Sequence, residues 1–466
     1  MAVPAATHRN AGMNHPPATI ASLGALGPAD RAPGAIVALR ADAPLTWAAL
    51  WQRVGTIART HAKQAGTRVL LNAPEAAEFL IGFLGLLHAG KQVVIPANFQ
   101  PAAIAHSAAS CDVVLSAAEI QNTPANTSWC PTAPLPPDAL IELTTSGSSG
   151  APKAVIKRLT QLDTEVAALE AQFGATLGNA PVFATVPHFH IYGLLFRLLW
   201  PLAAGRSFDT AVSATPHALL NRLLAHGRGT VISSPAHLSR LGDLLDPAEL
   251  APRTIAIFSS GAPLLAATAT ELGAAMGQAP IEVYGSTETG GIAWRRQWPD
   301  ADSPWQPLPG VTVTVDDAHS LLVRSPFAGD TTTATGDLAE RLPNSHFRLL
   351  GRADRIVKLE GKRVALPAME TRLNTHPWIA ACALVVLPGH REQLGAIAVL
   401  APEGQRQLDT LGRRATIEDL RAHLLQHFER VTLPRRWRFP ADLPYNERGK
   451  LPLDALQQLF DEAVPS

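Results

Sequence analysis

Between residues 35 and 117, short β-favouring apolar runs (RVLLNA, QVVIPA, DVVLSA) alternate with longer stretches such as PEAAEFLIGFLGLLHAG. That alternation predicts successive βα units and a largely parallel sheet. A Pro/Thr/Asn-rich stretch over 121–137 has no periodicity and reads as a surface connection. A Ser/Gly-rich loop follows, and beyond it Leu159, Leu162, Val166, Leu169 and Phe173 recur at three- and four-residue steps, which predicts a helix with one apolar face on a sheet. A second βα series runs through VFATV, TVISS, TIAIFSSG and IEVYG to about Gly290. Ligands of open α/β sheets bind beyond the carboxyl ends of strands, so SSPAH, SSGAPL and YGSTETG are candidates for one shared pocket. Past residue 309 the pattern becomes alternating (VTVTV, LLVRS), and from 351 a smaller α+β unit follows with ACALVVLP and AIAVLAP. In it a helix over 416–428, N-capped by Thr416, presents Ile417, Leu420, Leu424 and Phe428 on one face. No internal repeat at solenoid or propeller periods is found.

The fold class expected is therefore α/β, a large N-terminal domain of βα-rich sheets with a β subdomain followed by a small α+β domain. The length of 466 residues agrees with two or three domains. Lys+Arg and Asp+Glu balance at 39 each, so no global field recruits nucleic acid or an anionic membrane, and a small-molecule enzyme is favoured. Cys111, Cys130 and Cys382 lack both metal-knuckle spacing and the even count of a disulfide framework; a reducing cytoplasm fits best. The first twenty residues have no apolar signal region, and Met13 offers an alternative start. The most apolar stretch, 191–205, is broken by Arg197 and Pro201 and is too short for membrane insertion.

The strongest local signal is Thr144-Thr145-Ser146-Gly147-Ser148-Ser149-Gly150-Ala151-Pro152-Lys153. Its glycines let backbone approach a ligand, its hydroxyls donate to oxyanions and Lys153 supplies charge, so phosphate is the natural guest; a flexible polar turn is the alternative. It is not a Walker A loop, because Pro152 precedes the lysine and Ala154 follows it. Lysines number seven against thirty-two arginines, so a lysine closing a Gly-rich loop is less readily background charge.

TTSGSSGAPK resembles the phosphate loop of the adenylate-forming superfamily of acyl-CoA synthetases, 4-coumarate ligases, luciferases and peptide-synthetase adenylation domains. Four further segments match that family in order: 283–290 (VYGSTETG), Thr335-Gly336-Asp337, Gly351-Arg352-Ala353-Asp354 and Asn446-Glu447-Arg448-Gly449-Lys450. The resemblance implies ATP held by Thr145, Ser146, Gly147, Ser148, Ser149, Gly150 and Lys153, with Thr287 at the α-phosphate and Glu288 as a hard oxygen ligand for Mg²⁺. It places Tyr284 and Gly261-Ala262-Pro263 on either side of adenine, and Asp337 with Arg352 at the ribose hydroxyls. A helix-initiating Glu288, a core Tyr284, ordinary turns and surface charges are the alternatives at these positions. It implies that catalysis rests on Lys450, bridging substrate carboxylate and α-phosphate, with Arg363 reaching the α-phosphate in one state. Asp354 falls at the family's hinge and Lys358 among residues that serve the thioester step, so 1–353 is expected as the large domain and 354–466 as a small mobile one. PHFHIYG resembles the acyl-pocket segment, with His190 near the reacting carboxylate and Tyr192, Gly285 and Gly290 also lining the pocket; a structural histidine is the alternative.

The family's RIEPxEIE is replaced by Arg363-Val364-Ala365-Leu366-Pro367-Ala368-Met369-Glu370, so two carboxylates are absent. The large domain is also shorter than most, which implies trimmed N-terminal elements and a more open substrate tunnel. With no Asp or Lys among the pocket positions, an aryl or medium acyl acid is favoured over an amino acid. The acceptor is the thiol of CoA or of phosphopantetheine on an acyl carrier protein. The compact length and the NERGKLPLDAL ending are also similar to stand-alone ligases of aryl-polyene and xanthomonadin pigment clusters. A luciferase-like oxidation, a non-catalytic homologue and a phosphotransferase are the rival readings.

Overall fold

The structure is a computed structural model that describes residues 21–461 apart from 125–129, 147–151, 302, 360–361, 388–392 and 446–450. The chain divides into two compact units: residues 1–213, 221–231 and 253–256 form one, and 214–220, 232–252 and 257–466 the other. It is mixed α/β, as the alternation of runs predicts.

In the first unit the longer strands are β1 (Ile36–Leu39), β2 (Arg68–Asn72), β3 (Gln92–Ile95), β4 (Val113–Ser116), β5 (Leu140–Ser146), β6 (Pro152–Arg158), β7 (Val182–Ala184), β8 (Phe208–Val212) and β9 (Gly229–Ser233), which leaves the unit after residue 231. Five of them form one sheet in the order β4-β2-β3-β5-β6. Its first four strands run parallel and β6 returns antiparallel. Near-continuous burial along RVLLN and QVVI is what a parallel sheet covered on both faces demands. The chain passes from β2 to β3 on one side and then back across β2 to β4, so the sheet's topological switch point lies between β2 and β3. Helix α1 (Trp47–Ala62) begins at Thr46, whose hydroxyl accepts from the Ala49 N–H. Helix α2 (Ala76–His88) begins at Glu75, whose carboxylate accepts from the Ala77 and Glu78 N–H groups at 2.8 and 3.1 Å. Helix α3 (Leu159–Leu177) buries Leu159, Leu162, Val166, Leu169 and Phe173, the face read from the sequence; the strand β6 between it and the Gly-rich loop was not foreseen.

β10 (Thr254–Ser259) enters the second unit at residue 257, and there β10, β11 (Ile281–Ser286) and β12 (Gly290–Arg295) lie side by side, β10 and β11 parallel and β11–β12 an antiparallel hairpin. An antiparallel meander follows, β13 (Thr312–Val315), β14 (Ser320–Ser325), β15 (Gly329–Arg341) and β16 (Phe347–Arg352). Beyond it come the hairpin β17 (Ile356–Leu359) and β18 (Lys362–Ala365), helix α4 (Leu366–Leu373), strands β19 (Ile379–Leu387) and β20 (Gln393–Leu400), helix α5 (Pro402–Leu425) and strand β21 (Arg436–Arg438). These last elements own a core in which Met369, Leu373, Ala396, Leu420 and Leu424 are fully buried.

Two readings are corrected. The helix expected over 416–428 is the second limb of α5, which ends at Leu425 and is broken at Gly412. Thr416 lies inside that limb, buried, with its hydroxyl donating to the Gly412 carbonyl at 3.1 Å, so it is not the N-cap. The face itself stands: Leu420 and Leu424 are buried, and Ile417 and Phe428 pack against them. No helix of the described residues is long and apolar enough to cross a membrane, and Cys111, Cys130 and Cys382 are free thiols.

Candidate active site

Tyr284, near the end of β11, Asp337 on β15 and Arg352 at the end of β16 are drawn together in the second unit. Asp337 and Arg352 face each other across the antiparallel pair. Arg352 Nη1 lies 3.8 Å from the Asp337 carboxylate and donates to the Thr335 carbonyl at 3.3 Å. The Tyr284 hydroxyl donates to Asp337 from the other side. Thr335 Oγ1 accepts the Asp337 N–H at 3.1 Å, which fixes the TGD turn. The Tyr284 ring lies tilted against Trp305 and edge-on to Phe347, with centroids 5.6 and 6.3 Å away. Burial first, and the Asp337 charge second, push the Tyr284 phenol well above its ordinary range, so it stays a neutral donor. Asp337 is an acceptor with neighbours that orient it and surface enough to take further donors.

At the tip of the β11–β12 hairpin, Ser286 and Thr289 close a reciprocal turn. The Ser286 N–H donates to the Thr289 hydroxyl and the Thr289 N–H to the Ser286 hydroxyl, both at 3.1 Å. Thr287 and the exposed Glu288 are thereby carried at the turn's apex, and the helix-initiating alternative for Glu288 falls away. A side chain at Gly285 would put Cβ 2.3 Å from the Gly290 carbonyl oxygen, so the two strands can close only over glycine. Gly261, Ala262 and Pro263 follow β10, and Ser260 Oγ donates to the Val283 carbonyl at 2.7 Å, tying SSGAPL to YGSTETG. Beneath, buried Glu282 accepts from Arg295 Nε at 2.9 Å, Gln297 Nε2 at 2.7 Å and the Leu264 N–H at 3.2 Å, which locks both loops from below. SSPAH makes a local turn of its own, Ser234 Oγ lying 3.0 Å from His237 Nδ1.

In the first unit the PHFHIYG segment packs where β2 and β3 end. His188 is wholly buried, edge-on to Phe79 at 4.6 Å and close to Phe99, with the Ala73 backbone as its polar neighbour. Burial, then the nearby Arg197 charge, hold it well below the usual imidazole range, so it is neutral. Phe189 packs on Phe99 at 5.0 Å and on His190 at 4.6 Å. Half-buried His190 occupies the N-cap position of the turn Ile191–Gly193, and Tyr192 packs on Phe196 at 4.8 Å. Because Ala73 follows β2 and Phe99 follows β3, the segment sits at the sheet's switch point, where α/β proteins open their ligand crevices.

On either side of the phosphate loop, β5 and β6 pair antiparallel, with Thr145 opposite Lys153 and Ser146 opposite Pro152. Lys153 is exposed; Gly147, Ser148, Ser149 and Gly150 lie outside the described residues, as do the side chains of Thr145 and Ser146. Lys358 and Arg363 are directly paired across β17–β18, although their side chains, like that of Asp354, are not among those described. Lys450 also lies outside the described residues.

An AMP-binding enzyme model matches residues 116–329. A 4-coumarate–CoA ligase of Cereibacter sphaeroides is 30% identical over 325 residues, which cover 68% of this chain and 71% of that one. The chain belongs to the AMP-binding enzyme family. A sulfoacetate–CoA ligase of Cupriavidus necator is 26% identical over 87% of this chain and 91% of its own. The crystal structure of ATP-bound MatB from Rhodopseudomonas palustris shares the fold with a TM-score of 0.77 at 21% identity, over 92% of this chain and 96% of that one.

Within this AMP-binding enzyme, sequence reading missed the residues that support the site: Ser260, Glu282, Gln297, Trp305 and Thr335. Only Glu282 carried a signal, a carboxylate in the apolar run IEVYG. Among the described residues no group of three or more His, Cys, Asp or Glu side chains could hold a metal. The exposed Glu288 carboxylate suits a hard divalent ion that takes its remaining ligands from phosphate oxygens and water.

Proposed function

We propose that this chain uses ATP to convert a small carboxylic acid, aryl in preference to amino acid, into an acyl-adenylate and then passes the acyl group to the thiol of CoA. The observation that carries the reading is Asp337, held between Tyr284 and Arg352 beside the hairpin that presents Thr287 and Glu288. That carboxylate suits the two hydroxyls of a ribose, and the hairpin tip offers a hydroxyl and a metal-ligating oxygen for phosphates. Mg²⁺, when bound by Glu288 and the phosphates, would neutralise charge on the leaving pyrophosphate. Lys153 and the loop before it would hold the β- and γ-phosphates, while Lys450 would steady the charge that builds between carboxylate and α-phosphate.

The acid would enter beside His190 and Tyr192, and the aromatic packing of Phe99 and Phe189 there favours a flat ring; the family relative named for 4-coumarate supports the same choice. The part from residue 354 onward would turn about Asp354 between the two half-reactions, bringing Lys358 and Arg363 into use. Its separate core supports that boundary. A phosphopantetheine thiol on a carrier protein presents the same nucleophile, and the relatives named as CoA ligases favour CoA.

Carboxylate-dependent ATP–pyrophosphate exchange across benzoates, cinnamates, fatty acids and amino acids tests the first half-reaction without an acceptor. Exchange with aryl acids, and its loss in Lys450→Ala with transfer from pre-made acyl-adenylate retained, is the expected result. Undiminished exchange in that variant would overturn the assignment of Lys450, and ADP release in place of AMP would overturn the reaction class.

A further inference from the structure

The chain around Asp354 is pinned on both sides by arginines three residues apart, and the two are tied to different elements. Arg352 reaches back to Thr335 and Asp337 on β15. Arg355, at the end of the single turn Ala353–Arg355, reaches forward. Its Nη1 and Nη2 donate to the Glu370 carboxylate at 3.0 and 2.7 Å, a bidentate pair, and Nη2 donates also to the Leu384 carbonyl at 2.9 Å. The circuit closes because the Leu384 N–H donates to Glu370 Oε1 at 2.6 Å. Three segments, the turn at 355, helix α4 and strand β19, are thus held by four hydrogen bonds. Glu370 is the carboxylate that remains where Ala365 and Ala368 replace the family's other two.

A hinge needs a few residues that absorb backbone rotation between bodies that do not deform. With Arg352 fixed to the meander and Arg355 fixed to the core of the last elements, the residues left to turn are Ala353 and Asp354. We propose that the Arg355–Glu370–Leu384 clamp confines the pivot to these two residues, and that Arg355 and Glu370 are positioning residues for the thiol-dependent half-reaction. The inference rests on the two-step reading above. Releasing the clamp lets the pivot spread into 355–359, so that the carboxyl-terminal part reaches its second orientation less accurately. Adenylation, measured by exchange, depends on it less.

The test compares Glu370→Gln and Arg355→Lys with the wild type in three measurements on the full chain: acid-dependent pyrophosphate exchange, steady-state thioester formation with CoA, and amide hydrogen exchange. In Glu370→Gln, pyrophosphate exchange should stay within about twofold while kcat for thioester formation falls at least about fivefold with the KM for CoA little changed. Amide exchange should quicken over 353–359 and stay unchanged over 337–350. Arg355→Lys, which keeps the charge, should retain part of the transfer rate. Unchanged amide exchange over 353–359 would overturn the proposal. So would equal loss of both half-reactions with a lowered melting temperature, which marks a merely structural pair. Should the wild type exchange no pyrophosphate with any acid, the functional reading fails, and hydrogen exchange alone still decides the clamp.

Discussion

The two candidate regions, one in each compact unit, are built on opposite principles. Around Asp337 the positions are set by polar side chains bonding to one another at partial exposure, Tyr284 and Arg352 from either side and Thr335 beneath. Around His190 they are set by shape: aromatic rings in contact, a neutral buried His188 and a backbone folded back so closely that only glycine fits. A site for a polar, many-hydroxyl group needs oriented acceptors that water can also reach; a site for a flat apolar acid needs a dry wall of fixed contour. Substitutions should therefore separate, costing ligand affinity with an intact fold in the first region and costing the fold in the second.

The sharpest challenge to that contrast is Gly193→Ala. A Cβ there would lie 1.9 Å from the Pro187 carbonyl oxygen, and a backbone oxygen cannot swing aside as a side chain would. The expected loss is about 3 kcal/mol in urea unfolding, as for severe overpacking. A variant that unfolds like the wild type yet loses acid specificity would show that this segment is more pliable than its packing suggests.

Asp337→Ala probes the other region and should do the reverse. Hydrogen bonds to a charged group contribute about 1.5–3 kcal/mol, so the KM for ATP should rise roughly 10- to 150-fold. Stability should change by less than about 1 kcal/mol, since the Asp337 side chain is only half-buried. A large drop in melting temperature with normal ATP binding would reassign Asp337 to structure.

The same division explains what the sequence disclosed. Strand and helix runs with strong periodicity, such as RVLLN and the face Leu159–Leu162–Val166–Leu169–Phe173, are written locally and were legible. So were the short motifs, whose glycines and hydroxyls are adjacent in the chain. Supports such as Ser260 to Val283 and Glu282 to Gln297 join residues far apart in sequence, and no local pattern announces them. Strand β6 was hidden because PKAVIKR mixes charged and apolar residues at a sheet edge. The start of the second limb of α5 is misplaced in the sequence reading because Thr416 has an N-cap's chemistry, while the break itself falls four residues earlier at Gly412.

A pH series separates the regions again. His188 is held neutral in the folded chain, below its ordinary value, by burial and by Arg197, with His190 adding to the same effect and the Ala73 backbone opposing it. The unfolded chain binds a proton near pH 6.5 that the folded chain refuses, so stability should fall as pH drops below about 6.5. One such group contributes at most about 1.4 kcal/mol per pH unit. His188→Phe should flatten that part of the pH–stability curve, whereas Asp337→Ala should leave it in place. An unchanged slope in His188→Phe would mean that other histidines, such as half-buried His88 with its pKa lowered to about 4, dominate.

The smallest effect is the most discriminating one. Tyr284→Phe keeps the ring against Trp305 and Phe347 and removes only the hydroxyl that donates to Asp337. If the hydroxyl serves to aim Asp337 at a ribose, the loss should be about 1 kcal/mol, near fivefold in the KM for ATP. The preference for ATP over 2′-deoxy-ATP should shrink with it, because a carboxylate freed to turn no longer holds both hydroxyls in register. Unfolding should be unaltered. If instead the melting temperature falls and the preference persists, the hydroxyl is a strut between β11 and β15, and the first region is held by its fold in the same way as the second.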